Sequence, residues 1–213
     1  MNRIVAPTEG QPIEVPAPAA KTFTVLSPVG TPPKITRKTA APRLESLDGK
    51  TIYLVDCRFD DSIELLKQVA AWFAAHMPNV KTRIVSLSAT YQKDDPKTWD
   101  EIKANGDAAI IGVGHCSNCA PAVTTHAITL ETKYGVPTVA LHTDKFDKVV
   151  ASVAKMAGLP EAPRSFVPQP VMGKTAAELA AYVAGNDPIT GRPLMQEVIL
   201  ALTSAPGGVH AGH

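Results

Sequence analysis

The apolar run Ala108–Val113 ends in Gly114-His115-Cys116-Ser117-Asn118-Cys119, and a helical pattern from about Asn118 to Lys133 follows at once. A strand that is apolar throughout is buried on both faces, and a helix that follows it without a hairpin turn packs back over the sheet. That succession repeats along the chain. Thr51–Asp56 reads as a buried strand and 62–76 as an amphipathic helix with Asp60, Asp61 and Ser62 as candidate caps. Lys81–Leu87 reads as a second strand, 96–105 as a short helix stopped by Gly106, and 108–113 as the third strand. Gly135 ends the next helix, Val136–Leu141 forms a fourth strand, and Phe146–Ala157 a helix closed by Gly158. The expected fold class is α/β, a three-layer, doubly wound, mainly parallel sheet. After Pro160 the prolines at 163, 168 and 170 break regular structure, and helices over 175–184 and 193–202 make a helical C-terminal extension.

The first fifty residues hold eight of the nineteen prolines and one aromatic residue, with neither a helical nor an alternating period. Residues 1–46 therefore read as an extended Pro-rich arm, 47–204 as the α/β domain with its C-terminal helices, and 205–213 as a flexible tail. Apolar anchors at Phe23–Leu26 and Leu44–Leu47 suit a strap laid over this subunit or a neighbour, so a homo- or hetero-oligomer assembled through the arm is expected.

A balance of 21 basic against 20 acidic residues leaves no electrostatic footprint for nucleic acid. The opening residues Met1–Pro7 lack the apolar stretch of a signal peptide, and no segment approaches the ~20 apolar residues of a membrane span. A soluble, cytoplasmic protein without a membrane partner is expected. Three cysteines are too few for a secreted disulfide framework, and a Cys-x-x-Cys in such a chain points to catalysis or metal binding.

Ligands of open parallel sheets sit beyond the carboxyl ends of the strands. The first strand delivers Asp56, Cys57 and Arg58 to that rim, the third Gly114, His115, Cys116 and Cys119, and the fourth His142, Thr143 and Asp144. Cys116 is the expected nucleophile, because it leaves the strand just after Gly112 and Gly114 and meets a helix start whose amides and dipole stabilise a thiolate. Cys119 is the expected resolving partner, two sulfurs at this spacing being able to meet. His115 and His142 are candidate acids or bases, and Cys57 is either a third participant or a small core residue. Arg58 can pair with a substrate carboxylate, while Asp56, Gly114, Ser117, Asn118 and Thr143 line the expected substrate site.

A metal ion, zinc or iron, is the alternative use of the same side chains. His115, Cys116, Cys119 and His126 suggest a ligand set, but Cys119 and His126 lie two helical turns apart, roughly 10 Å along the axis. Cys57, Cys116, Cys119 and His142 remain as a candidate set. Gly112 and Gly114 lack a third glycine in a phosphate-cradling register, and no Gly-x-Ser-x-Gly elbow occurs. Three functions stay open: a thiol oxidoreductase acting on a small electrophile or disulfide and reset by an external thiol or redox partner protein; a lyase or racemase using Cys116 and Cys57 on a small carboxylate; and a metal-binding subunit of a larger complex.

Cys116-Ser117-Asn118-Cys119, with Gly112-Val113-Gly114-His115 before it and Gly135-Val136-Pro137-Thr138-Val139 after it, resembles the UGSC-like family, named for a selenocysteine-Gly-Ser-Cys motif. Leu26-Ser27-Pro28-Val29-Gly30, Leu47–Ile52 and the Pro-rich stretch near Arg164 are similar too, so the likeness runs from about Leu26 to Ala201. It implies that Cys116 takes the selenocysteine position and Cys119 the family's cysteine, with a redox-active character. The substrate-binding subunits of glycine and proline reductases are a more distant likeness. The chain departs from the pattern in having Ser117-Asn118 for Gly-Ser, His115 before the first cysteine, and Cys57-Arg58 after Asp56.

Overall fold

Five segments rich in β-branched and aliphatic residues pair as one all-parallel sheet in the order β2-β1-β3-β4-β5 in a computed structural model that describes residues 34–204. The strands are β1 (Thr51–Asp56), β2 (Lys81–Ser86), β3 (Ala108–Gly114), β4 (Thr138–Thr143) and β5 (Arg164–Val167). The helices are α1 (Ser62–His76), α2 (Pro96–Asn105), α3 (Cys119–Thr129), α4 (Asp147–Met156), α5 (Ala176–Ala184) and α6 (Leu194–Thr203). A π-helical turn, Leu130–Tyr134, prolongs α3, and Gly135 at φ 69° ends it.

The strands sort their side chains by period two, broken in β3 only at the register shift after Ile111, where Val113 joins the face of Ile110. Ile52, Leu54, Ile110, Val139 and Leu141 pack with α1, α5 and α6 on one face. Tyr53, Val55, Ala109, Ile111 and Ala140 pack with α2 and α3 on the other. Each fully buried aliphatic side chain adds roughly 1.5–3 kcal/mol, and the central strand β3 is buried at all seven positions. The expected three-layer, doubly wound α/β class is the observed one.

One element departs from the sequence reading. Residues 164–167 form the edge strand β5, although prolines stand on both sides of it. Pro163 and Pro168 fall just outside the paired residues, where an edge strand tolerates proline. The free edge of β5 is closed by Asp187, whose Oδ2 accepts the Phe166 N–H at 2.8 Å.

Residues 1–33 of the expected arm and the expected tail 205–213 lie outside the described residues. The part of the arm from Ile35 onward belongs to the same compact unit as the sheet. It has no regular structure and runs past the amino ends of the strands, where the Lys38 N–H donates to Gly158 O at 2.8 Å and the Leu44 N–H to Leu202 O at 3.0 Å. Glu131 clasps it. Its carboxylate accepts the Ala41 N–H at 2.8 Å and the Thr138 N–H at 2.6 Å, and pairs with the Arg43 guanidinium. Burial pushes the Glu131 carboxyl up, and Arg43 offsets this only in part. Thr138 opens β4, so this clasp sits at the end of the sheet opposite Cys116.

Candidate active site

Strand order reverses between β1 and β3, since the chain moves from β1 outward to β2 and then returns to the other side of β1. The crevice at the carboxyl ends of those two strands is where such sheets bind ligands. Three of the rim's loops leave from β1, β3 and β4 as expected, and the loop after β5 adds a fourth.

The turn from β3 into α3 is fixed by the cysteines themselves. Cys116 O accepts the Ala120 N–H at 3.0 Å, and Cys116 Sγ accepts the Cys119 N–H at 3.1 Å. Cys116 therefore takes the role that Ser or Asp takes at a helix N-cap. Asn118 makes no capping bond, and α3 has no acidic residue in its first turn. The N–H and the helix start both favour negative charge on Cys116 Sγ, which is half-buried.

Cys119 is held differently. Its sulfur accepts the His115 N–H at 3.2 Å, its thiol donates to Cys116 O at 3.5 Å, and it is fully buried. Burial, with the Cys116 side chain adding to it, pushes the Cys119 thiol up to about 12. All three cysteines are free thiols.

Gly114 makes this turn possible. A Cβ there would stand 2.2 Å from His142 Nδ1 and 2.9 Å from Ala120 Cα. The β3–β4 register shifts between Ile111 and Gly114, and the Gly112–Val113 peptide bond there is cis. His142 lies fully buried beneath the turn with Nε2 3.4 Å from Thr124 Oγ1, and Thr124 Oγ1 donates to Ala120 O at 2.8 Å. Nε2 thus shares its contact with the Thr124 hydroxyl, and Nδ1 lies against the Gly114 backbone. Burial, reinforced by the Arg164 charge, holds His142 down at about 3, so it is neutral at neutral pH.

His115 faces the crevice loop after β1. Its ring stands edge-on to Phe59 at 5.5 Å, and Phe59 in turn packs on Tyr91 at 4.0 Å. Burial lowers its pKa, and Asp60 and Asp61 partly restore it.

Asp56 and Arg58 play a local part. Asp56 accepts the Arg58 N–H at 2.8 Å and the Ser86 hydroxyl at 2.8 Å, which holds Arg58 in the left-handed region at φ 62°. The Arg58 guanidinium is exposed and reaches Leu87 O at 3.3 Å. Ser117 and Asn118 are exposed at the start of α3, and Thr143 is fully buried with no partner for its hydroxyl.

The candidate metal set does not assemble. Among the described residues no three His, Cys, Asp or Glu side chains lie together as a metal would require. β3 stands between β1 and β4, so Cys57 and His142 start about 9–10 Å apart across the sheet, and the His142 ring is committed to Thr124. Cys57 is packed into the core, its thiol pushed well above the ordinary range by burial, then by the Asp56 charge. His126 Nε2 donates to Tyr91 O at 2.6 Å, and the ring packs against Trp99 in the core.

Sequence reasoning missed Gln169 and Thr124. Gln169 comes from the loop after β5, a strand the prolines concealed; its Nε2 donates to His115 O at 3.5 Å and its N–H to Asp144 Oδ1 at 3.0 Å. Thr124 stands four residues after Ala120 on α3, a spacing that permits the back-bond it makes, but nothing in the sequence aligns it with His142.

The fold and the rim define a doubly wound α/β protein with a thiol pair at the junction of its central strand and a helix. The chain belongs to the UGSC family, whose model matches residues 24–188. No curated protein matches it. Among solved structures it is similar to an FMN-dependent cysteine decarboxylase, SpaF, at 11% identity and a TM-score of 0.37, over 71% of this chain and 98% of that one. A likeness of that size brings neither the flavin nor the decarboxylation to this chain. No helix among the described residues is long and apolar enough to cross a membrane.

Proposed function

We propose that the protein is a thiol-dependent oxidoreductase in which Cys116 is the attacking sulfur and Cys119 the resolving one. The observation that carries this reading is the asymmetry of their hydrogen bonds: Cys116 Sγ accepts an N–H at the helix start, while Cys119 is a buried thiol that donates. On a disulfide substrate, Cys116 thiolate attacks one sulfur, a mixed disulfide forms, and the first thiolate leaves. Cys119 then attacks Cys116 Sγ and releases the second. The substrate gains two electrons and the pair becomes a disulfide, which an external dithiol resets. Burial first, and the Cys116 side chain after it, keep Cys119 protonated; an adduct on Cys116 takes that sulfur out of its contact with Cys119, so attack by the second thiol follows the first.

His115, adjacent to Cys116, supplies the proton traffic; His142, neutral and enclosed, supports the turn. The lyase or racemase reading needs Cys57 as an acid or base, and its complete burial works against that.

Trapping tests the proposal. With a small aromatic disulfide, Cys119→Ser should accumulate a mixed disulfide on Cys116, the native chain should release two thiols per pair, and Cys116→Ser should release none. Two thiols from Cys116→Ser would overturn the assignment.

A further inference from the structure

The polar atoms around Cys116 are not all matched. The Gln169 amide group is oriented by its Nε2, which donates to the carbonyl of His115, the residue before Cys116. Its Oε1 is thereby fixed as an acceptor, is shielded from solvent, and has no donor. The same rim holds two more shielded atoms without partners: Nε2 of His115, a residue 9% exposed, and Thr143 Oγ1, fully buried beside Asp144, which holds the Gln169 backbone. An enclosed polar atom without a partner costs about 1–3 kcal/mol, and three of them, carried by the residue after β3, the last residue of β4 and the loop after β5, mark this rim as a subsite for a polar ligand.

We infer that the substrate of Cys116 carries an N–H or O–H donor close to its electrophilic atom, received by Gln169 Oε1. The ligand class is a small amide, amine or hydroxyl compound, and His115 Nε2 and Thr143 Oγ1 can take either partner role toward its remaining polar atoms. Arg58, whose guanidinium turns toward Leu87 O, is not the recognition element. The inference rests on Cys116 being the reactive sulfur, as proposed above. It adds selectivity: a site built to hydrogen-bond a substrate N–H discriminates strongly against an analogue that lacks it.

The test compares alkylation of Cys116 by iodoacetamide, which has N–H donors, with N,N-dimethyl-2-iodoacetamide, which has none, mapped by peptide mass and normalised to glutathione. The native chain should favour iodoacetamide about tenfold beyond glutathione, the effect of one hydrogen bond. Gln169→Met, similar in shape but without the acceptor, should lose that preference while its rate with the dimethyl reagent holds. A native preference no greater than that of glutathione overturns the subsite and needs no variant. Equal slowing of both reagents in Gln169→Met also overturns it, by giving Gln169 a structural part only. If Cys116 still forms its disulfide with Cys119 in either case, the oxidoreductase reading survives the loss of the subsite; if Cys116 reacts with neither reagent, both fall.

Discussion

The Cys119 N–H donates to Cys116 Sγ at 3.1 Å while the Cys119 thiol donates to the Cys116 carbonyl at 3.5 Å. One residue thus supplies both the donor that favours a thiolate on its neighbour and a sulfur that stays protonated. A thiol raised to about 12 is ionised to only ~10⁻⁴ near pH 8. Brief alkylation of the reduced native protein near that pH should therefore label Cys116 and leave Cys119 and Cys57 unlabelled. Peptide mapping reads the distribution, and comparable labelling of Cys119 contradicts the assigned roles.

Gly114 has no room for a side chain, because His142 Nδ1 and Ala120 Cα already stand where a Cβ would go. Gly114→Ala must push the Cys116 turn away from β4 and should lower stability by about 1–3 kcal/mol. Its larger effect should be on Cys116, whose alkylation should slow as the Cys119 amide loses its aim. Denaturant melts and alkylation rates on the same sample check both.

His142 makes stability depend on acid. Its folded pKa of about 3 lies below the ordinary 6.5, because the buried ring resists charging. The unfolded chain therefore takes up the proton first, so this contribution is complete above pH 6.5 and is lost as the pH falls from 6.5 toward about 3. Denaturant midpoints across that range should drop, and His142→Gln should show a shallower drop than the native chain.

The Arg43–Glu131 clasp lies at the far end of the sheet, and both side chains are enclosed. Arg43→Ala leaves Glu131 with its two backbone donors and no countercharge, which should cost about 3–5 kcal/mol. Glu131 already has its folded pKa raised by burial, and removing Arg43 raises it further. A carboxyl that binds its proton more tightly when folded gains stability as the pH falls, so the deficit should be larger at neutral pH than near the carboxyl's ordinary 4.5. Thermal melts at the two pH values measure it, with Cys116 alkylation expected to be unchanged.

The strands and helices that hold the thiols were legible because their cues are local. Apolar runs marked β1, β3 and β4, Pro96 and Gly106 bounded α2, and Gly135 ended the extension of α3. β5 was hidden because its pairing comes wholly from β4, and two prolines masked a four-residue run. The reach of Gln169 was hidden with it. The surroundings of His142 and Cys57 were hidden for the opposite reason: both end apolar strands, but period two turns a side chain toward solvent or toward a helix according to register, and here one meets Thr124 and the other joins the core. Arg58 follows the same lesson, since its direction depends on the left-handed turn that Asp56 imposes.

The most direct measurement is a peptide-mass map of the reduced protein after brief exposure to one equivalent of a small disulfide, quenched in acid. The account predicts a Cys116–Cys119 disulfide, Cys57 unmodified, and two thiols released. A stable adduct on Cys116 with Cys119 still a free thiol, or a disulfide that includes Cys57, would contradict it.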